Sequence, residues 1–152
     1  MNKTSQATQA KRQRRIDPLS VYRVFNRLQP FTQAELMQLE LPIRISFESL
    51  RNGTGAESDF HDLAAAINVT LVRCEQINPL AEQAAIDARD ALMRSWHRWQ
   101  TVGLWGFDGP ALAQVEAGIY LHEQLIRMST PEQMMQAGRE VRRRGAMGEV
   151  AA

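Results

Sequence analysis

The sequence predicts an all-α protein, a compact bundle of five or six helices with a disordered basic N-terminal arm. Apolar residues recur at steps of three and four in several stretches, which is the period of an amphipathic helix. Capping residues and prolines mark where these stretches start, and glycines mark where they end. No stretch shows a clear period of two, the pattern of a half-buried strand.

The composition indicates one globular domain. The chain has 152 residues, of which 44% are hydrophobic and 23% are charged, enough to bury a core without disulfides. A single cysteine, Cys74, excludes a disulfide framework and a cysteine zinc site, and fits a reducing compartment. The N-terminus lacks a signal-peptide core and no apolar run reaches membrane-spanning length. We therefore expect a cytoplasmic protein that makes no membrane contact.

Residues 1–16 are polar and nearly free of apolar side chains, so they are predicted to form a disordered arm. Four cations cluster there, namely Lys11, Arg12, Arg14 and Arg15. Such an arm can lie along nucleic-acid phosphates, or it can be a solvated tail that aids solubility. The sequence leaves both interpretations open.

The predicted bundle spans residues 17–145 and starts with a short amphipathic helix at Asp17-Pro18 that ends before Pro30. Thr32 and Glu35 fit a capping box that starts the next helix. Pro42 predicts a break at Glu40-Leu41 and a new helix from Pro42 to Arg51.

A helix, a break and a helix suggest a helix-turn-helix motif for DNA binding. Aligning the motif's turn with residues 39–42 gives three poor matches. Leu36 takes the place of a small residue, Glu40 that of a glycine and Ser46 that of an apolar residue. The motif is therefore weakly matched, although Arg44 and Arg51 could still reach a groove.

The following helix is predicted to end near Ile77 and to be buried on two sides. Its main apolar stripe consists of Phe60, Leu63 or Ala64, Ile67, Leu71 and Cys74. Val69 and Val72 lie off that stripe, which indicates a second covered side and a central position.

A long helix is predicted from the cap residue Asn78 and Pro79 to Gly103, with an alanine-rich face that lets a neighbouring helix approach closely. We expect it to be central. Its end carries aromatic residues that we expect to form one cluster around the turn: Trp96, Trp99, Trp105 and Phe107. The cluster can be a core plug, or Trp96, Trp99 and Trp105 can form an exposed binding site for a protein partner.

Two more helices are predicted after this turn. Asp108-Gly109-Pro110 starts the first, and Thr130-Pro131 with a capping box starts the second. The last helix reaches Gly145 and leaves residues 146–152 as a frayed tail. It ends in three cations, Arg142, Arg143 and Arg144, which either complement the helix dipole alone or bind phosphates.

The residue spacing does not indicate an enzyme, a metal site or a cofactor. The three histidines, His61, His97 and His122, lack the spacing of helical metal sites. Cys74 is predicted to be buried, where a thiol is usually inert. Phosphate-binding glycine loops and paired-carboxylate motifs are not found in the sequence.

Several short elements resemble a group of small uncharacterised helical proteins of proteobacterial plasmids, integrative elements and phages. They are Leu41-Pro42-Ile43-Arg44, Phe47-Glu48-Ser49-Leu50-Arg51, Gly53-Thr54-Gly55, Asp59-Phe60-His61-Asp62-Leu63, Gly103-Leu104-Trp105-Gly106 and Gly109-Pro110-Ala111-Leu112. Members of such groups are sometimes described as transcriptional regulators. The resemblance brings no established activity or site.

These observations predict a non-enzymatic regulatory protein of a mobile element that associates with DNA or RNA through its basic termini. The alternative is an interaction or inhibitor module that binds a protein partner through its tryptophans.

Overall fold

The structure, a computed structural model, describes residues 28–148. The described part contains five α-helices and no strand: α1 (Gln33–Arg51), α2 (Glu57–Ile77), α3 (Glu82–Val102), α4 (Gly109–Arg127) and α5 (Pro131–Ala146). The predicted all-α class is confirmed. The basic arm 1–16 and most of the helix predicted from Asp17-Pro18 lie outside the described residues.

The first difference from the prediction is that α1 runs without a break through Pro42. A proline inside a helix removes one backbone hydrogen bond, and its ring crowds the preceding turn. Pro42 is exposed, so water can solvate the carbonyl group that loses its partner. Leu36 and Leu39 before the proline and Phe47 and Leu50 after it are buried, and this packing outweighs the local cost. The helix-turn-helix interpretation is wrong, because no turn separates two helices here.

The helix at the centre of the bundle is α2, which packs against α1, α3, α4 and α5. Ile67, Val69 and Val72 are all buried although they lie on different sides of α2, as the sequence predicted. The expectation that α3 is equally central is wrong, because α3 packs mainly against α2 and α4. Its alanine-rich face allows the close approach of α4, as predicted. A β-carbon placed on Gly118 of α4 would overlap the Cβ atom of Ala88.

The start of α3 also differs from the prediction. The Asn78 side chain caps no helix, and Pro79–Ala81 form a 3₁₀ turn before α3 begins at Glu82. Leu80, in the middle of this turn, is 96% exposed. The end of α3 is as predicted, since Gly103 adopts φ 72°, in the left-handed region that glycine favours.

Local caps begin the remaining helices as predicted. An Asp108 carboxylate oxygen accepts from the Ala111 backbone N–H at 2.7 Å to start α4. Thr130 and Gln133 form a capping box at the start of α5. The last helix continues slightly further than predicted, to Ala146.

One helix lies across the end of the bundle. Just before α5, the Ser129 hydroxyl accepts from Arg73 of α2 at 3.0 Å. In the last turns of α5, Arg144 forms an ion pair with Glu75 of α2. Arg73 and Glu75 are neighbours in α2, so α5 crosses the C-terminal part of α2 instead of running alongside it. Buried side chains of α5 there contact Phe31, at the point where the described chain enters α1.

Candidate functional site

The three tryptophans come together in one aromatic cluster at the end of α3, as predicted. The rings of Trp99 and Trp105 are stacked at 4.8 Å with an interplanar angle of 5°. Trp96 lies 5.1 Å from Trp99 and 6.1 Å from Trp105, measured between ring centroids. The Ser95 hydroxyl donates to the Gly106 carbonyl oxygen at 2.9 Å and fastens the loop that carries Trp105.

Burial in this cluster shows which tryptophans a partner can reach. Trp105 is only 7% exposed and belongs to the main core. Trp96 and Trp99 are half-buried and pack against that core. Trp105 therefore stabilises the fold, and only parts of Trp96 and Trp99 face solvent.

Two aromatic contacts differ from the sequence expectation. Phe107 stacks on Phe47 at 5.8 Å, away from the tryptophans. Phe60 of α2 lies 4.7 Å from Trp96, which links the cluster to the central helix. Phe60 was predicted to be buried, but its partner is 36 residues further along the chain, and no local pattern indicates that pairing.

The predicted phosphate-binding arginines of α5 already have acidic neighbours. Arg143 donates two hydrogen bonds to Glu140, at 2.8 and 2.7 Å. Arg144 donates to both carboxylate oxygens of Glu75, at 2.8 and 2.6 Å, and to Glu140 at 2.9 Å. Arg142 and Arg143 are exposed, whereas Arg144 is half-buried.

The electrostatics identify Arg144 as a clamp between α5 and α2. Its hydrogen bonds to Glu75 and Glu140 raise the pKa of the guanidinium further above its ordinary value. Hydrogen bonds from Arg143 and Arg144 lower the pKa of Glu140 to about 2. The pairing therefore holds Arg144 in a structural role, while Arg142 and Arg143 remain at the surface.

Charge is distributed unevenly between the folded part and the N-terminal segment. Residues 28–148 contain eleven arginines and fifteen aspartates and glutamates, a net charge of −4. Residues 1–27 contain seven cations and one aspartate, a net charge of +6. Lys11, Arg12, Arg14 and Arg15 belong to this segment and lie outside the described residues.

The described chain begins beside the arginine-rich helix. Phe31 is 8% exposed and shares a buried cluster with Met134, Met135 and Ala137 of α5, against which Val141 also packs. Val141 immediately precedes Arg142 in the sequence. The basic N-terminal segment is therefore joined to the folded part at the end of the bundle that carries the α5 arginines.

The interior also contains polar groups. The Thr70 hydroxyl donates to the Ala66 carbonyl oxygen at 2.8 Å, so it accepts from Nδ1 of His122 at 2.9 Å. Burial lowers the pKa of His122 to about 4, so the ring is neutral at physiological pH. Arg73 is 5% exposed and binds Gln76 and Ser129, both uncharged side chains.

Within residues 28–148, the reactive side chains lie apart from one another. Cys74 lies in an apolar cluster with Leu71, Ala85 and Leu125, and burial raises the pKa of its thiol to about 11. His61 instead contacts Glu57 at 3.3 Å beside the tryptophans. Among residues 28–148, no three histidine, cysteine or acidic side chains are grouped so as to hold a metal ion.

Two depressions lie on the surface of the described chain as follows. The larger, about 310 Å³, is lined by residues of α1 and the following loop, including Ile45, Ser49 and Asn52. The smaller, about 120 Å³, lies between Arg94, Arg98 and Phe107. Within residues 28–148, no helix has the length and apolar character needed to cross a bilayer.

Comparison with known proteins gives no relative. No family model, curated protein or solved structure matches the chain. Proposals about function therefore depend on the geometry and charge of the chain itself.

Proposed function

We propose that this protein binds DNA or RNA phosphates through its N-terminal segment together with the exposed arginines at the end of α5. The observation that carries the proposal is the packing of Phe31 against α5, because it joins the segment of charge +6 to the end of the bundle that holds Arg142 and Arg143. The setting that we propose is a regulatory protein of a mobile element in the cytoplasm, in keeping with the resemblance described above.

The charge distribution favours this orientation. Residues 28–148 have a net charge of −4, which does not favour a polyanion. An approaching nucleic acid is attracted to the N-terminal segment, where Lys11, Arg12, Arg14 and Arg15 release counterions from the phosphates. The basic segment thus determines which end of the bundle faces the nucleic acid.

The arginines of α5 have different roles in this proposal. The side chain of Arg143 is 56% exposed, and a solvated ion pair contributes little, so a phosphate can replace Glu140 as its partner at small cost. Arg144 is held by two glutamates and keeps α5 on α2, so it supports the basic end without leaving its partners.

The test is the salt dependence of binding to a fluorescent duplex DNA and a matched RNA. Each phosphate contact contributes about 0.9 to the slope of log K against log salt for B-DNA. Replacing Lys11, Arg12, Arg14 and Arg15 with glutamine should lower the slope by about 3 to 4. The control is Arg98→Gln, which removes an exposed arginine from the last turns of α3, outside the proposed binding region.

The control should bind like the wild-type protein. An unchanged slope in the quadruple variant, or no binding above background at low salt, would contradict the proposal. An effect of the quadruple variant on RNA alone would identify RNA as the target.

A second candidate is a protein-interaction module at the tryptophan end of the bundle. Val102 and Leu104 follow the half-buried Trp99 within five residues and are 58% and 60% exposed, which favours an apolar contact surface. Because Trp105→Ala would also damage the core, the informative variant is Leu104→Glu. If Leu104→Glu captures the same partner as wild type in a pull-down, this surface is not the binding site.

A further inference from the structure

The outward face of α4, here called the α4 face, consists of small, apolar and amide side chains. At 100° per residue, six exposed or half-buried residues of α4 and of the position that follows it share this side. They are Pro110, Ala113, Ala117, Tyr120, Gln124 and Met128. Tyr120 and Met128 are its largest apolar side chains and are 59% and 71% exposed. From position 110 to position 128 the α4 face is about 27 Å long.

The charged residues of α4 lie on one edge of the α4 face, the edge towards α1. Arg44 of α1 donates to Glu123 there at 2.6 Å. Arg127 donates to Glu40 of α1 through Nη2 alone, at 2.7 and 3.0 Å, so its Nε and Nη1 atoms have no acceptor within residues 28–148. Glu116 is exposed and makes no hydrogen bond or ion pair with the described residues. Glu116 and Arg127 are therefore an acid and a cation on the same edge that can each take a further partner.

The other edge of the α4 face, towards α3, carries a compensated charge. Arg94 of α3 donates to the Gln114 side chain at 2.6 Å and lies 3.8 Å from the Asp108 carboxylate. The centre of a protein interface is depleted of charge and enriched in aromatic side chains and methionine. The α4 face has this composition, because its uncharged centre includes Tyr120 and Met128.

We propose that the α4 face binds the same face of a second copy of the chain, with the two helices antiparallel. A two-fold axis perpendicular to both helices reverses one helix end for end and brings the α1 edge of one copy against the α1 edge of the other. Since Glu116 and Arg127 lie on this one edge, each copy supplies the opposite charge that the other lacks. A strongly acidic or strongly basic partner would oppose a like charge at one of the two. The inference goes beyond phosphate binding and does not depend on it.

The register follows from the sizes of the side chains. With the axis level with Tyr120 and Leu121, Ala113 of one copy lies opposite Met128 of the other. The alanine leaves room for the flexible methionine side chain, and the two Tyr120 rings meet beside the axis. Large side chains thus lie opposite small ones at both ends of the contact.

The same register pairs the charges. Glu116 of one copy lies within about 3 Å, measured along the helix axis, of the level of Arg127 in the other, which a long arginine side chain can span. Two such pairs form, one on each side of the axis. A single pair of helices buries less than the roughly 800 Å² per partner of a standard interface, so we expect a dissociation constant in the micromolar range.

The test is sedimentation equilibrium of the full chain between about 5 and 500 µM, a range that brackets micromolar affinity. The average mass of the wild-type protein should rise from 17.2 kDa towards twice that value. Tyr120→Glu should remain at 17.2 kDa throughout, because the substitution places two like charges at the axis. The matched control Met37→Glu changes an apolar residue of α1 with the same exposure, 59%, and should dimerise like the wild type. A wild-type protein that stays monomeric at the highest concentration would overturn the proposal, as would a dimer that Tyr120→Glu leaves intact.

A second pair of variants tests the charges without changing the apolar centre. Glu116→Lys should weaken dimerisation about tenfold, because it replaces two attractions with two repulsions. Glu48→Lys makes the same change of net charge at an exposed glutamate of α1 and should have no effect. Equal dissociation constants for the two variants would contradict the pairing of Glu116 with Arg127.

Disulfide formation tests the antiparallel orientation. When Ala113→Cys and Met128→Cys proteins are mixed and mildly oxidised, the mixed disulfide should form faster than either symmetrical one. The native Cys74 is buried and does not compete. Symmetrical disulfides that form first would indicate a parallel pair and would overturn the proposal.

Discussion

Stability should fall in mildly acidic solution because of His122. This side chain is 3% exposed, and its Nδ1 atom lies 2.9 Å from the Thr70 hydroxyl oxygen. That hydroxyl already donates its hydrogen to Ala66, so His122 must donate from Nδ1. Burial keeps the ring neutral in the folded protein. Protonating the ring would place a charge in the core, where the neighbouring Glu123 compensates for only part of the lost hydration.

The magnitude follows from the two pKa values. Burial lowers the pKa of His122 from 6.5 to about 4. Between pH 6.5 and pH 4, the imidazole is therefore protonated in the unfolded chain but not in the folded protein. The contribution of the neutral His122 to the free energy of unfolding is therefore fully present above pH 6.5 and is lost as the pH falls towards 4. At about 1.4 kcal/mol per pKa unit, the loss is about 2.5 kcal/mol between pH 7.5 and pH 4.5. This is a large share of the roughly 5–15 kcal/mol that stabilises a typical domain.

The assay is urea unfolding at the two pH values, with His122→Asn as the test variant. An asparagine amide can still donate to Thr70 but does not titrate. The variant should lose about 2.5 kcal/mol less than the wild type on acidification, because carboxylate contributions are common to both proteins. His97→Asn, which removes an exposed histidine, should respond like the wild type. If the wild type and His122→Asn respond equally to acidification, the ring is not held neutral by the fold.

Three further substitutions test the packing. Gly118→Ala should destabilise the fold by about 1–2 kcal/mol, because the new Cβ atom meets the rigid Cβ of Ala88, whereas Gly109→Ala meets no atom and should be neutral in thermal unfolding. Pro42→Ala should stabilise the fold by about 1–2 kcal/mol in chemical denaturation, since it restores a hydrogen bond within a continuous helix, and a loss of stability would support the predicted break. Arg73→Met should raise stability by about 1 kcal/mol by removing a buried cation without an acidic partner among residues 28–148, and a lowered melting temperature would contradict this reasoning.

Local signals in the sequence predicted the parts of the fold that depend on neighbouring residues. The caps at Thr32, Asp108 and Thr130 and the stop at Gly103 each depend on atoms within about one helical turn, and all four are confirmed. The two buried sides of α2 were also predictable, because side-chain periodicity shows which positions are covered even when the covering element is unknown.

The failures occurred where distant packing outweighs a local preference. Pro42 breaks a helix in isolation, but buried side chains hold α1 against the core on both sides of it, Leu36 and Leu39 before the proline and Phe47 and Leu50 after it. The Arg144–Glu75 pair joins residues 69 apart in the chain, so the crossing of α5 over α2 had no local signature. For the candidate site, the sequence predicted that the tryptophans cluster but could not show that Trp105 is buried.

The residues that first suggested a function differ in how fully the fold uses them. Trp105 fills the core, Arg144 clamps α5 to α2, and His122 binds Thr70, so each already has a structural partner. A binding surface requires groups that folding leaves without such a role, because a group satisfied inside the protein gains little from a ligand. Residues 1–27 carry a net charge of +6, against −4 for residues 28–148, and this contrast is the basis of the proposed phosphate site. Binding at that site should therefore weaken as the salt concentration rises.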